Sequence, residues 1–182
     1  MTGAEGRSES ITLGGGCFWC VEAGLQALDG VLEVKSGYAG GTHPAPTYRE
    51  VCAGTTGHAE VVRVRFDPDV LPLDELLTAF FTLHDPTTPN RQGADVGTQY
   101  RSVILWERPE QEPVVRGVIR DLEAQKIWPD PVVTEVGPLR RFHEAEEYHD
   151  DYYRRNPNQP YCQVVISPKL AKLRARFGDR MS

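Results

Sequence analysis

The densest concentration of reactive chemistry in the sequence is Gly14-Gly15-Gly16-Cys17-Phe18-Trp19-Cys20, two thiols three residues apart behind a run of glycines. Cys17 stands where a β-type run ends and a helical pattern begins. A thiol at a helix N-terminus faces unpaired N–H groups and the positive end of the helix dipole, which both favour thiolate over thiol. The glycines permit a tight turn and a close approach of ligand to backbone. Cys17 is therefore the expected nucleophile, with a pKa below the ~8.5 of a free thiol. Two other readings stay open. Cys17 can be a small buried hydrophobe in a helix cap, or C-x-x-C can be half of a zinc site completed by Cys52, Cys162 or a histidine. Phe18 and Trp19 are expected to wall an apolar substrate pocket beside the nucleophile, although Phe18 also fits ordinary core packing.

The elements that must position these residues follow from periodicity. Residues 10–13 form a short β-type run, and Phe18, Val21, Leu25 and Leu28 make a helical stripe that Gly30 stops. A strand is predicted over 31–36, ended by Gly37, and an ordered loop over 41–48 with Pro44 and Pro46. Residues 60–66 alternate, placing Glu60, Val62, Val64 and Phe66 on one strand face. A helix over 72–84 leads into a long loop, 85–99, expected to be a site wall, since loops of more than about 12–15 residues are uncommon without a function. Further along, the patterns predict a strand over 100–106, a helix over 109–126, a strand over 132–136, a helix over 145–155, a strand over 163–166 and a terminal helix over 169–177. Strands and helices mix without strict βα alternation, which predicts an α+β fold.

A length of 182 residues predicts one domain, with 1–9 as a flexible polar tail and 10–182 as a single catalytic domain. Hydrophobic residues at 40% and charged residues at 25% exclude a disordered or fibrous chain. Twenty basic against 26 acidic residues give a net charge of −6, which argues against nucleic acid or anionic lipid as partner. No stretch approaches the roughly 18 apolar residues of a membrane span. The opening nine residues lack the basic and apolar parts of a secretory signal, so the expected location is the cytoplasm. There, four cysteines point to redox or metal chemistry rather than structural disulfides.

Several further stretches together resemble the A-type peptide methionine sulfoxide reductases. They are Gly16-Cys17-Phe18-Trp19 with Glu22, Ser36-Gly37-Tyr38-Ala39-Gly40-Gly41, Tyr48-Arg49-Glu50-Val51-Cys52, Gly54-Thr55-Thr56-Gly57-His58-Ala59-Glu60, Asp85-Pro86-Thr87, and Asn90-Arg91-Gln92-Gly93-Ala94-Asp95-Val96-Gly97-Thr98-Gln99-Tyr100-Arg101-Ser102. The resemblance runs in order from about Ile11 to Cys162. It implies a ferredoxin-like two-layer core with a mixed sheet, helices and long ordered loops. It implies reduction of the S epimer of methionine sulfoxide, free or in proteins, with electrons from thioredoxin or another dithiol. No metal or organic cofactor is implied, and a monomer is expected.

Chemistry assigns compatible roles. Sulfoxide sulfur is a weak electrophile until its oxygen is protonated or strongly hydrogen-bonded, so the reaction needs a thiolate, an acid and an apolar cradle. Glu60, on the apolar face of its strand, is the expected acid, kept protonated by desolvation. Tyr48, Tyr100 and Asp95 match residues that line the family's site. The phenols can donate to the sulfoxide oxygen, and Asp95 can accept from a nearby water or ring hydroxyl. As structural alternatives, the tyrosines pack with their hydroxyls at the surface and Asp95 orders its loop. His58 is expected to order the turn before Glu60, and His149, on the helix with Tyr148, Tyr152 and Tyr153, to be a partly exposed helix histidine, with support behind the site as the alternative.

Cys20 stands where the family frequently has glycine, and Cys162 lies in Gln159-Pro160-Tyr161-Cys162-Gln163-Val164 rather than in a glycine-rich tail. Cys20 is the expected resolving thiol. Residues three apart in a helix have Cβ atoms about 5–6 Å apart, close to the roughly 3.5–4.5 Å of a disulfide, so a loosened first turn suffices. Cys162 instead borders the expected strand at 163–166, which would have to move. Two rival functions remain at this point. A general thiol–disulfide oxidoreductase using Cys17 and Cys20 leaves Glu60 and Tyr100 without roles, and a zinc-stabilised binding module would need further ligands.

Overall fold

An alternating strand buries one face only if something apolar covers it, and here helices do so. The computed structural model describes residues 8–150 and 152–181. Its elements are β1 (Glu9–Gly15), α1 (Phe18–Gln26), β2 (Val31–Ala39), α2 (Tyr48–Cys52), β3 (Ala59–Phe66), α3 (Leu73–Thr82), β4 (Arg91–Gln92), β5 (Asp95–Val96), β6 (Ser102–Trp106), α4 (Gln111–Ala124), β7 (Glu135–Pro138), β8 (Phe142–Glu144), α5 (Tyr152–Arg155) and α6 (Ser167–Phe177). A mixed sheet runs β7-β6-β1-β3-β2-β8, with β6 and β7 parallel and the other neighbours antiparallel. Ile11, Leu13, Val62, Val64, Phe66 and Ile104 from the strands share one buried cluster with Val21 and Leu25 of α1, Leu76, Leu77 and Phe80 of α3, and Val115 of α4. The fold is α+β. The opposite sheet face holds a smaller cluster, Ala39, Ala59, Val61, Val103 and Leu105, against which Leu139 and Phe142 pack.

This topology gathers distant residues at one end of the sheet. β1 ends at Gly15, just before α1, while β3 and β6 run antiparallel to it. The first residues of β3 and β6 therefore flank the start of α1. Glu60 pairs with Tyr38, and Ser102 pairs with Gly15. β2 exits at the same end and leads to α2.

Several expected boundaries change. The predicted strand at 163–166 is instead a π-helical turn, Cys162–Ile166, running directly into α6. Burial shows why: Cys162 and Ile166, four apart, are buried while Gln163 and Val164 between them are exposed. The predicted helix over 145–155 is broken into a 3₁₀ turn, Glu147–His149, and the short α5. Glu146 just before that turn is drawn inward as acceptor for Tyr38 Oη at 2.8 Å and the Tyr48 N–H at 3.0 Å. β2 continues past Gly37 because Phe142 and His143 of β8 press so closely that a Cβ at Gly37 would lie 2.4 Å from the His143 carbonyl oxygen. The loop over 85–99 contains the β4–β5 hairpin and a 3₁₀ turn, Thr98–Tyr100, so β6 starts at Ser102 rather than at 100. Most of the expected tail lies outside the described residues, and Glu9 opens β1. Among the described residues no helix is long and apolar enough to cross a membrane.

Candidate active site

Cys17 is the N-cap residue of α1, and Gly16 before it has φ +93. A Cβ on Gly16 would lie 2.8 Å from Gln92 Cγ, so that turn requires glycine both for its backbone conformation and for the close packing of Gln92. Gln92 in turn exchanges hydrogen bonds with the backbone of Asp85, accepting from its N–H and donating to its carbonyl, which ties the β4–β5 hairpin against the nucleophile's turn. Cys17 is 8% exposed and clusters with Cys20, Cys162 and Ile166. A bond from the Cys20 N–H to the Cys17 carbonyl, 3.1 Å, tightens the first turn of the helix and keeps residues 17 and 20 together.

The electrostatics of the thiol reverse the sequence expectation. Burial pushes Cys17 well above the ordinary thiol range, and its hydrogen bond to Cys20 and the charge of Glu60 add to this. The helix terminus is present, but a helix dipole contributes only about 0.3–1 kcal/mol, whereas full burial shifts a pKa by up to about 3–5 units. The first N–H of the helix is also taken: Phe18 N–H donates to Glu60 Oε1 at 3.2 Å. Cys20 moves the other way. The hydrogen bond from Cys17 lowers it, burial opposes, and Lys169 and the Tyr161 hydroxyl lower it further. Cys17 thus holds its proton at rest while its neighbour is the more acidic thiol. Cys162 is buried, and both its burial and the nearby Cys20 push its thiol up.

Glu60 is 1% exposed. Burial pushes its carboxyl up to about 8, against the lowering effect of the Phe18 N–H, and Asp95 and Cys20 raise it further. Its second oxygen, Oε2, is buried without a partner. A neutral carboxyl with one free edge is therefore held beside Cys17 at the start of α1. Burial, then the charge of Glu60, pushes the phenols of Tyr48 and Tyr100 up, so both remain donors. Asp95 accepts from Tyr161 Oη at 2.8 Å, and the same hydroxyl lies 3.8 Å from Cys20 Sγ.

The two aromatic residues divide. Phe18 is fully buried in the main core, 6.2 Å from Tyr48 and 5.0 Å from His149 between ring centres, so it backs the site rather than facing solvent. Trp19 is half-buried and stacks flat on Tyr152 at 3.7 Å. Its Nε1–H donates to His149 Nδ1 at 3.1 Å, which leaves the other ring nitrogen of His149 to carry the proton. His149 is completely buried, contrary to the expected exposed helix position. Its burial follows from the break in the predicted helix, which turns the ring in against Phe18 and Tyr48. His58 orders the turn as expected, accepting from the Gly41 N–H and bonding the His43 carbonyl. Cys52 is exposed. Among the described residues no group of three or more His, Cys, Asp or Glu side chains is placed to hold a metal ion.

Sequence reasoning placed His149 at a partly exposed helix position and gave no role to Tyr152 or Tyr161. The only signal was the adjacency of Tyr161 to Cys162 and the aromatic clustering at 148–153. It also missed α2, although its capping box, Thr47 with Glu50, is written in the sequence.

Comparison with known proteins places the chain in a family. The profile of the family described as peptide methionine sulfoxide reductase matches residues 9–181. The peptide methionine sulfoxide reductase MsrA of Granulibacter bethesdensis is 55% identical over 173 residues, 95% of this chain and 94% of that one. Crystalline Mxr1 of Saccharomyces cerevisiae in its reduced form superposes with a TM-score of 0.76 at 36% identity, covering 86% of this chain and 90% of Mxr1. Mxr1 in complex with Trx2 superposes with a TM-score of 0.55 at 26% identity, covering 80% of this chain and 85% of that one. With a family match over nearly its whole length and more than half its residues shared with a named relative, this chain belongs to the peptide methionine sulfoxide reductase family.

Proposed function

We propose that Cys17 attacks the sulfur of an S-configured methionine sulfoxide, free or within a protein, while Glu60 protonates the departing oxygen with Tyr48 and Tyr100 donating to it. The reaction is the reduction of methionine sulfoxide to methionine. As the Cys17 sulfur bonds the substrate sulfur it gives up its thiol proton, which restores the acid form of Glu60; the sulfur–oxygen bond then breaks, the oxygen and its proton pass to Cys17 as a sulfenic acid, and methionine leaves. Trp19 walls the apolar cradle, Phe18 supports it from behind, and Asp95 holds Tyr161 at its edge. The Cys20 thiol then attacks the sulfenic acid, forming a Cys17–Cys20 disulfide and releasing water. A dithiol such as thioredoxin restores both thiols by exchange. The pairing of yeast Mxr1 with Trx2 supports that reductant.

The observation that carries the reading is the carboxyl of Glu60: buried, raised to about 8, anchored by one oxygen to the start of the nucleophile's helix and free at the other. Simple disulfide exchange needs no such acid. Cys20 is favoured as resolving thiol because the tightened first turn of α1 holds it beside Cys17, with the Tyr161 hydroxyl 3.8 Å from its sulfur. Cys162, raised by burial, backs Cys20.

The finer description of the fold is a ferredoxin-like core. Its support is the run β6-β1-β3-β2, in which α1 joins β1 to β2 and α3 lies between β3 and β6 in the chain. Residues 10–182 form one catalytic domain in this reading, and its place of action is the cytoplasm. Turnover of resolved S and R sulfoxides with dithiothreitol tests the proposal. Reduction of the S epimer alone is expected. Equal rates on both epimers, or none on either, overturn it.

A further inference from the structure

A cavity of about 630 Å³ reaches Cys17 between the hairpin wall that carries Asp95 and the opening turns of α6. That volume lies within the range of about 300–1,000 Å³ typical of ligand sites and exceeds what one methionine side chain fills. Its helix wall presents Val165, Lys169 and Lys172, which share one face at helical spacing, with Trp128 beside them. Among the described residues neither Lys169 nor Lys172 has an ion-pair partner. The opposite wall carries the carboxylates of Asp95, which accepts from the Tyr161 hydroxyl, and Asp85, which accepts from Thr87, and both keep their negative charge. The cleft beside Cys17 is therefore polarised, positive along α6 and negative along the hairpin wall, with the two lysines not paired to the aspartates.

We propose that this cleft is a subsite for the polypeptide flanking the oxidised methionine, and that Lys169 and Lys172 select substrates with an acidic side chain next to the sulfoxide. The inference rests on the reductase reading above and deepens it by naming a substrate class. Glu60, Tyr48, Tyr100 and Trp19 do not line the cleft, which meets the site at Cys17, so a polypeptide whose sulfoxide lies against those residues extends its neighbouring residues past Cys17 into the cleft. A carboxylate on the α6 side meets two ammonium groups and the apolar surface of Trp128 and Val165, while a lysine there meets like charge.

The test is single turnover by pre-reduced protein, with no added reductant, on matched peptides carrying S-configured methionine sulfoxide. Aspartate, serine or lysine is placed on the N-terminal or the C-terminal side. Each rate constant at low substrate is divided by that of the serine peptide in the same enzyme. For one of the two placements, aspartate should exceed lysine by about fivefold to tenfold at low salt, as expected for exposed charge pairs, and the ratio should shrink in high salt. In Lys169→Glu/Lys172→Glu the order should invert. A ratio near one for both placements overturns the proposal, as does an unchanged preference in the double variant. It is also overturned if the variant slows only multiple turnover with a dithiol protein, because the cleft then serves the reductant. No methionine burst from any peptide, serine included, overturns the reductase reading and this inference with it.

Discussion

Replacing Glu60 with glutamine should make the protein more stable and far less active, because one burial event governs both. The folded carboxyl titrates at about 8, and its ordinary value is 4.5. Unfolding between those two pH values therefore releases a proton, and stability falls as pH rises through the window. Each pH unit is worth about 1.36 kcal/mol, so at neutral pH the wild-type protein gives up about 3 kcal/mol to keep this acid neutral. Glutamine is a close stand-in for the neutral acid. It keeps an oxygen for the Phe18 N–H and leaves unpaired the position where Oε2 already has no partner. Urea unfolding from roughly pH 4 to pH 9 should show the two proteins nearly equal at the acid end, the glutamine variant ahead by about 3 kcal/mol near pH 7, and a plateau above pH 8. In single turnover the same variant should lose ~10²–10⁴ in the rate of methionine release, the usual size of general acid catalysis. A stability difference that does not change with pH would refute the raised carboxyl. Near-native single-turnover rates would remove Glu60 from the chemistry.

Cys20→Ser should preserve the methionine burst but block the Cys17–Cys20 disulfide, seen by thiol trapping and disulfide mapping after one equivalent of sulfoxide; a Cys17–Cys162 bond formed at the wild-type rate with normal recycling defeats this assignment. His149→Phe keeps the ring packing but deprives the Trp19 Nε1–H of its acceptor, costing about 1–3 kcal/mol, and should raise KM by about tenfold with a smaller change in kcat and a shifted tryptophan emission. An unchanged KM would show that Trp19 is held by Tyr152 alone. Tyr161→Phe removes a hydroxyl that helps lower the Cys20 thiol, so the pH profile of disulfide formation should move upward, and an unmoved profile excludes that influence.

What was legible in the sequence was what short-range rules control. The alternation around Glu60 and the stripe from Phe18 to Leu28 predicted both the burial and the facing of those residues, because a repeat of two or of 3.6 residues maps directly onto a covered face. The acid was foreseeable for the same reason, since its neighbours on that face are Val62, Val64 and Phe66, all fully buried. The depressed nucleophile was wrong because a local cue, the helix terminus, was weighed without the depth of burial, which is a property of the whole fold. His149 was misread because its helix is broken by Glu146, whose partners Tyr38 and Tyr48 lie some hundred positions earlier. No window along the chain contains that contact.

The C-terminal thiol shows how a propensity signal can outweigh a better one. Val164-Val165-Ile166 is a β-branched run, and such residues favour strands. Pro168, two positions on, disfavours a helix interior, since proline inside one removes a hydrogen bond and crowds the carbonyl four residues back. The structure meets that objection with the π-helical turn Cys162–Ile166, a widened stretch just ahead of the proline, which then sits in the first turn of α6, where it is tolerated. The wide turn also keeps Cys162 and Ile166 on one buried face, against Cys17 and Cys20. Cys162 therefore needs no strand to move in order to join the redox cluster. In the proposed cycle its disadvantage against Cys20 is its proton, because burial and then Cys20 push the Cys162 thiol up. In the proposed order a Cys17–Cys20 bond forms first and removes the influence of Cys20 that pushes the Cys162 thiol up.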